Sequence, residues 1–294
     1  MQYMRKDIIL PGLALAGGAA GFALRKWQLS AAYHPETGLF THGFPATYAL
    51  LGLTAALIVL FLLAVRTTTQ VPPDFLPAFG SPEAGQMTVW AAAGLLFLAA
   101  GLVNLMEGAQ MLQLWQATHA LDRDPTQLTL TVALLLCALL CFPAGAGVLL
   151  MGRSAYRWEL PQSLGYLAPM PAFVGLLWLF STHLENGTQP VLMKYGFTLA
   201  AAAFLMLGHY YVAGFLFDRP RPRRALFFSL SGVVLGLTSL ADGLSLGTCV
   251  LTLAFVLSAL GFTRALLVGA GPGWAERMPS GAEDCEDRED SAQS

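Results

Sequence analysis

Asp218-Arg219-Pro220-Arg221-Pro222-Arg223-Arg224 joins two strongly apolar stretches, 195–217 and 225–241. Each stretch is long enough to cross about 30 Å of hydrocarbon as a helix. Four arginines in so short a turn belong on the cytoplasmic side of a membrane, because basic residues near the ends of spans are retained there. Arg219, Arg221, Arg223 and Arg224 therefore anchor the topology, and every other loop alternates from them.

Composition points the same way. The chain has 294 residues, 55% of them hydrophobic, a mean hydropathy of +0.59 and only 12% charged residues. A soluble domain carries about twice that share of charge. A membrane β-barrel would show alternating segments of about 10 residues, and the chain has long unbroken apolar runs instead. The predicted fold is all-α, a polytopic integral membrane protein with a bundle of eight transmembrane helices. The spans are 8–24, 46–65, 87–110, 128–151, 164–182, 195–217, 225–241 and 246–268. They form one membrane domain over 1–270, followed by an acidic cytoplasmic tail over 271–294. Six of the 18 acids lie between Glu283 and Asp290, which makes the net charge of −2 a property of the tail. Its like charges and low apolar content predict disorder.

Counting basic residues supports this orientation. The inner segments hold 11 of the 16 Lys and Arg residues, with Arg264 at the inner membrane edge, whereas Arg25, Lys26, Arg123 and Lys194 fall on the outer side. Both termini are then cytoplasmic. The compactness and arginine-marked loops suit the inner membrane of a bacterial cell. Span 8–24 follows a basic start and has small residues near its end, as a cleaved signal peptide does. It is read as a retained span because it is long enough to cross and Arg25 and Lys26 follow at once. The bilayer is the first partner. A membrane-protein partner or a second copy would pack on Gly/Ala-rich helix faces, of which Gly17-x-x-x-Gly21 is the clearest. Nothing in the charge pattern suggests nucleic acid.

The polar residues near the membrane are few. Asn104, Glu107 and Gln110 are three apart on one helical face. A carboxylate in hydrocarbon is costly, so such acids face the bundle interior or a cavity. On the same predicted side lie Arg25, His183, Glu185 and Asp242. The expectation is an outer polar vestibule with Glu107, Asn104, His183, Glu185 and Asp242 near its floor and Arg25 as counter-charge. His209 with Tyr210 is a second intramembrane polar position, where a buried imidazole must find a hydrogen bond. The loop 67–86, with Pro72, Pro73, Pro77 and Pro82, is expected to be irregular, and Pro143 to kink span 128–151.

Gly214-x-x-x-Asp218-Arg219 with Arg223-Arg224 resembles the cytoplasmic Gly-x-x-x-Asp-Arg-x-Gly-Arg-Arg turn of major-facilitator transporters. It departs from that motif at Arg221, which replaces Gly, and at the inserted Pro222. The chain also has eight spans where that family has twelve, so it is not assigned there. Asn186-Gly187-Thr188 is a glycosylation sequon on the outer side. No phosphate loop, Gly-x-Ser-x-Gly, His-Glu-x-x-His or Cys-x-x-Cys occurs, and no lysine stands mid-span for a Schiff base. Cys137, Cys141, Cys249 and Cys285 read as fillers or free thiols. No cofactor or metal is expected, because His183-x-Glu185 offers two ligands at most.

The functional expectation is a permease-like protein for a small or apolar solute, with an outer mouth. One alternative is an accessory or sensor protein that packs against a partner and moves nothing. The other is a membrane-embedded enzyme acting on lipid, whose acid–base members would come from Glu107, His183, Glu185 and Asp242.

Overall fold

The computed structural model describes residues 6–34, 36–67, 71–119, 124–187 and 191–270. The acidic tail with Cys285, Arg123 between the third and fourth spans, and Thr188 of the sequon lie outside the described residues. The helices are α1 (Lys6–Ala31), α2 (Pro45–Arg66), α3 (Phe75–Phe79), α4 (Ala84–Ala117), α5 (Pro125–Arg157), α6 (Ser163–Leu167), α7 (Met170–Glu185), α8 (Gly196–Ala213), α9 (Pro222–Ser239) and α10 (Leu246–Gly269). A two-residue hairpin pairs β1 (Tyr33–His34) with β2 (Leu39–Phe40), and 3-10 turns cover Leu192–Lys194, Gly214–Phe217 and Leu240–Asp242. Among the described residues, eight helical segments are long and apolar enough to cross a membrane. The protein is an all-α polytopic membrane protein that exposes its apolar perimeter to the bilayer.

The helices cross back and forth between two ends. Arg25, Glu107, Glu185, Asp242 and Ser245 lie at one, the carboxylate end. The α8–α9 turn, Glu83 and Arg264 lie at the other, the arginine end. Both α4 and α5 exceed 30 residues. At about 1.5 Å per residue they are close to 50 Å long, so they overshoot the hydrocarbon layer. Their hairpin projects beyond the other helices at the carboxylate end, where Trp115 Nε1 donates to the Asp124 carbonyl at 3.1 Å.

Three expectations about local structure need correction. The first span does not end at Leu24. With no Pro or Gly between Gly21 and His34 to stop it, α1 continues to Ala31 and carries Arg25 inside the bundle. The loop 67–86 is not merely irregular. Phe75 and Phe79, four apart, stack within the short helix α3 at 4.9 Å, and both are fully buried under the arginine end. The fifth span is broken into α6 and α7 at Ala168-Pro169: both residues keep helical backbone, but Pro169 and Pro171 lack the N–H groups that would continue the helical hydrogen bonds. By contrast, α5 remains one helix through Pro143.

α9 is the hub: 72% of its most apolar stretch is buried, against 28% for α1 and α2. Lipid tails are as apolar as leucine, so helices in a bilayer associate through close packing and polar contacts more than through apolar burial. α9 suits this role because its sides are small. Gly232 receives Leu205 of α8, Gly236 receives Val256 of α10, and Ser229 meets Gly208 of α8. The Gly17-x-x-x-Gly21 face of α1 is used in the same way. Gly17 lies against Leu57 of α2 and Gly21 against Thr238 of α9. That face is consumed inside the monomer, so it does not serve as the partner surface expected from the sequence.

A column of aromatic rings fills the middle of the bundle. It starts at Phe79, which packs on Phe215 at 5.1 Å and on Phe262 at 6.2 Å. Phe262 also touches Trp90 at 5.0 Å and His209 at 5.3 Å. His209 and Phe97 both reach Phe255 at 4.9 Å, and Phe255 stacks on Trp178 at 5.6 Å. Such pairs add about 0.5–1.5 kcal/mol each beyond area burial. The polar groups within this column are few: His209 with Ser258, and the buried indole N–H groups of Trp90 and Trp178.

Candidate functional site

The carboxylate end is organised by Arg25, whose side chain has no exposure, and by Asp242, whose side chain is 4% exposed. Arg25 Nε donates to Asp242 Oδ1 at 2.6 Å. Nη1 donates to Gln28 Oε1 at 2.7 Å, and Nη2 to the carbonyls of Met193 and Lys194, both at 2.8 Å. Four of the guanidinium's five N–H groups are thereby satisfied. Its faces are covered by Phe197 at 5.2 Å and Phe40 at 5.9 Å. The second carboxylate oxygen of Asp242 accepts from Thr198 Oγ1 at 2.9 Å. Gln28 continues the network, with Nε2 donating to Thr47 Oγ1 at 2.9 Å. The arrangement locks α1, α2, α8 and the end of α9 together. It works because α1 continues past Arg25 to Ala31, which sets Gln28 on the same face three residues later.

Glu107 serves the next helix. Gly243, with φ of +75°, turns the chain out of the 3-10 turn Leu240–Asp242 and into Ser245, the N-cap of α10. The Ser245 hydroxyl accepts from Thr248 N at 3.2 Å and donates to Glu107 Oε2 at 2.9 Å. Gly247 N donates to Glu107 Oε1 at 3.1 Å. A carboxylate from α4 thus takes up a free first-turn N–H of α10, at the positive end of that helix dipole. Asn104 is buried one turn below and donates to the Ala100 carbonyl at 2.9 Å. Asn104 and Glu107 together press on Gly247, where no Cβ would fit. Glu107→Ala is expected to lower thermal stability in detergent by about 1–2 kcal/mol, the range for losing a helix cap. Glu107→Gln keeps an acceptor for Gly247 N and should lose less. Equal losses for the two variants would show that capping is not what Glu107 does.

Between these two constellations lies a cavity of about 330 Å3, lined by Thr182, Glu185, Asn186 and Lys194 together with Tyr195, Thr198, Asp242, Ser245 and Thr248. Among the residues expected at the vestibule floor, Glu185 and Asp242 line it directly. Glu107 borders it through Ser245, near enough for its charge to act on Glu185. Arg25 lies behind Asp242, and Asn104 beneath Gly247. His183 is exposed and is not part of the lining. The reason is helical phase: α7 continues to Glu185, and residues two apart on a helix are separated by about 200°. Glu185 and Asn186, three and four residues after Thr182, line the cavity with it instead. The sequence reading missed Gln28, Thr198, Tyr195, Ser245 and Thr248. Only Ser245-x-x-Thr248, a capping residue three before a hydroxyl, carried a local signal.

His209 lies apart from this site, inside the aromatic column. Its Nδ1 lies 2.8 Å from the Leu205 carbonyl, which can only accept, so Nδ1 carries the proton. Nε2 lies 2.7 Å from Ser258 Oγ, and the Ser258 hydroxyl also lies 3.0 Å from the Phe255 carbonyl, so the imidazole, the hydroxyl and that carbonyl form one short chain. The histidine joins α8 to α10 by one interhelical hydrogen bond. Tyr210, the next residue, is turned about 100° away and is 59% exposed on the perimeter, so the two do not share a site.

No group of three or more His, Cys, Asp or Glu side chains with metal-holding geometry occurs among the described residues. Compared with known protein families, curated proteins and solved structures, the chain matches none.

Proposed function

We propose that this is a permease-like protein of the cell membrane that takes a small, positively charged polar solute at its carboxylate end, with that end outside and the arginine turn cytoplasmic. The observation that carries this reading is the cavity beside Asp242. Its volume falls at the small end of the range for ligand pockets, and hydroxyl and amide groups converge in it. Its charge favours a cation. Asp242 is neutralised by Arg25, and the Lys194 ammonium is turned onto the Tyr33 ring at 5.3 Å, whereas Glu185 has no ion pair among the described residues. The aromatic column lies below the cavity and closes the axis, so passage would require α10 and α8 to separate around Phe255 and His209. The arginine-rich turn supports the orientation through the positive-inside rule.

The test is a thermal-shift titration of the full chain in detergent with choline, putrescine and ammonium, using sorbitol and acetate as uncharged and anionic controls. A ligand at about 100 times its dissociation constant adds roughly 2.7 kcal/mol of stability. At least one cation should raise the melting temperature of the wild type and fail to do so in Glu185→Gln. Glu185 is exposed, so that variant should fold normally. A shift that survives in Glu185→Gln, or none with any cation, overturns the proposal.

One observation favours the second reading, a protein that packs against a membrane partner. Gly12, Ala16, Ala20 and Ala23 are all exposed on the outward side of α1 and form a small-residue stripe that a neighbouring helix could approach closely. Absence of any ligand shift would shift the interpretation to that stripe.

A further inference from the structure

The arginine end holds a second cavity, of about 580 Å3, between the start of α7 and the end of α8. Pro169, Tyr210, Tyr211 and Phe217 form its walls, and Arg219 and Arg221 its rim. We propose that this cavity binds the headgroup of an anionic phospholipid, with the phosphodiester on Arg219 and Arg221 and one acyl chain running along α7.

Three observations converge on that ligand. The first is charge. Arg219 and Arg221 are exposed and make no ion pair among the described residues, unlike Arg25 and Arg264, which pair with Asp242 and Glu83. Basic pockets between transmembrane helices at the membrane surface are suited to anionic headgroups. The second is the wall. Tyr210 is 59% exposed and Phe217 50%, at the outer surface of the bundle beside the arginines. A tyrosine ring such as Tyr210's belongs to the headgroup layer at this level, and Phe217 adds an apolar wall beside it. Tyr211 is held in place from the other side, with its hydroxyl accepting from Arg224 Nη1 at 3.3 Å and its ring stacked on Phe228 at 5.6 Å.

The third is the track above the cavity. Phe173, Leu176 and Phe180 are 50%, 50% and 46% exposed. With Pro169 they are spaced by four, three and four residues, which places them on one face of α7. From Pro169 to Phe180 the rise is about 16 Å at 1.5 Å per residue, close to half of the ~30 Å hydrocarbon layer. That is the depth of one leaflet. A free phosphate would use the arginines alone, whereas a lipid uses the arginines, the rings and the track. The proposal rests on the membrane-spanning fold and is independent of the solute reading at the opposite end.

The full chain, purified in detergent and delipidated, is titrated with dioleoyl phosphatidylglycerol, dioleoyl phosphatidylcholine and inorganic phosphate, with bound lipid counted by native mass spectrometry. Phosphatidylglycerol is expected to bind about tenfold or more tightly than phosphatidylcholine, and inorganic phosphate should not compete. The double variant R219Q/R221Q should lose at least about tenfold in affinity, while R66Q/R157Q, which removes the same charge at the same end, should stay close to wild type. Arg223 and Arg224 remain in the turn, so the basic anchor for insertion is retained, and elution as a single species confirms folding. F217A, which leaves every charge in place, should weaken phosphatidylglycerol as well. Equal losses in the two double variants would mean unspecific surface attraction and overturn the site. Equal binding of both lipids, full competition by phosphate, or an unaffected F217A would overturn it too.

Discussion

Arg25→Met is expected to destabilise the protein by about 3–5 kcal/mol, the cost of breaking a buried ion pair by removing one partner. The magnitude follows from what is left behind. Among the described residues the Asp242 carboxylate keeps Thr198 alone as a donor, and the carbonyls of Met193 and Lys194 lose the Nη2 group that both accept from. With native stabilities of about 5–15 kcal/mol, a loss of this size halves the margin or removes it. Asp242→Leu should be damaging for the mirror reason, because it leaves a guanidinium without exposure and without its counter-charge. The double variant R25M/D242L should recover part of the loss, since replacing both charges removes the need to desolvate either. Chemical unfolding in a defined detergent checks this as a double-mutant cycle. Losses that simply add would mean that the two side chains do not depend on each other.

The second large effect is expected at the contact between α4 and α5. Gly94 and Gly145 face each other so closely that a Cβ added to Gly145 would fall 2.8 Å from the Gly94 carbonyl oxygen, and one added to Gly94 2.9 Å from the Gly145 carbonyl oxygen. Both obstacles are backbone, which cannot rotate away as a side chain can. Gly101 meets the Ala138 carbonyl and Cys141, and Gly108 meets Leu135, so glycines at intervals of seven bring α4 close to α5 along much of its length. Gly145→Val must therefore push two helices apart, and about 3 kcal/mol is expected, the upper part of the usual range for overpacking. Gly52→Val on α2, where an added Cβ meets nothing within 4 Å, is the matched control and should change stability by less than about 0.5 kcal/mol. If both valines cost the same, helix propensity and not helix separation is responsible.

The spans were legible because the bilayer imposes one length and one polarity on every crossing, and hydropathy reports both directly. The internal fit was not legible, because it depends on which faces meet. Arg25 shows the difficulty. A basic residue after an apolar run normally marks water, and it took Asp242, Met193 and Lys194, all distant in sequence, to hold it in a dry site. The same applies to Phe75 and Phe79, whose four-residue spacing was masked by the surrounding prolines. Glu185 and His183 both lie near the end of α7, but two residues on a helix face nearly opposite ways, and only the continuation of α7 decides that Glu185 is the one beside the cavity. Glu107 was recognised as an unusual acid. Its role at the start of α10 could not be read, since the N–H it accepts from belongs to a helix 140 positions later.

The separation between Arg25 and Asp242 also has a consequence in time. The two are 217 residues apart, and α9, the hub on which α1 packs, is the seventh span to be made. At about 5–20 residues per second of synthesis, the guanidinium spends roughly ten to forty seconds in or at the bilayer before its carboxylate exists. During that interval it can only reach toward the surface water and headgroups, as long basic side chains do. The contacts of α1 with α2 are available once the second span is made, whereas those with α9 and Asp242 wait for the last third of the chain.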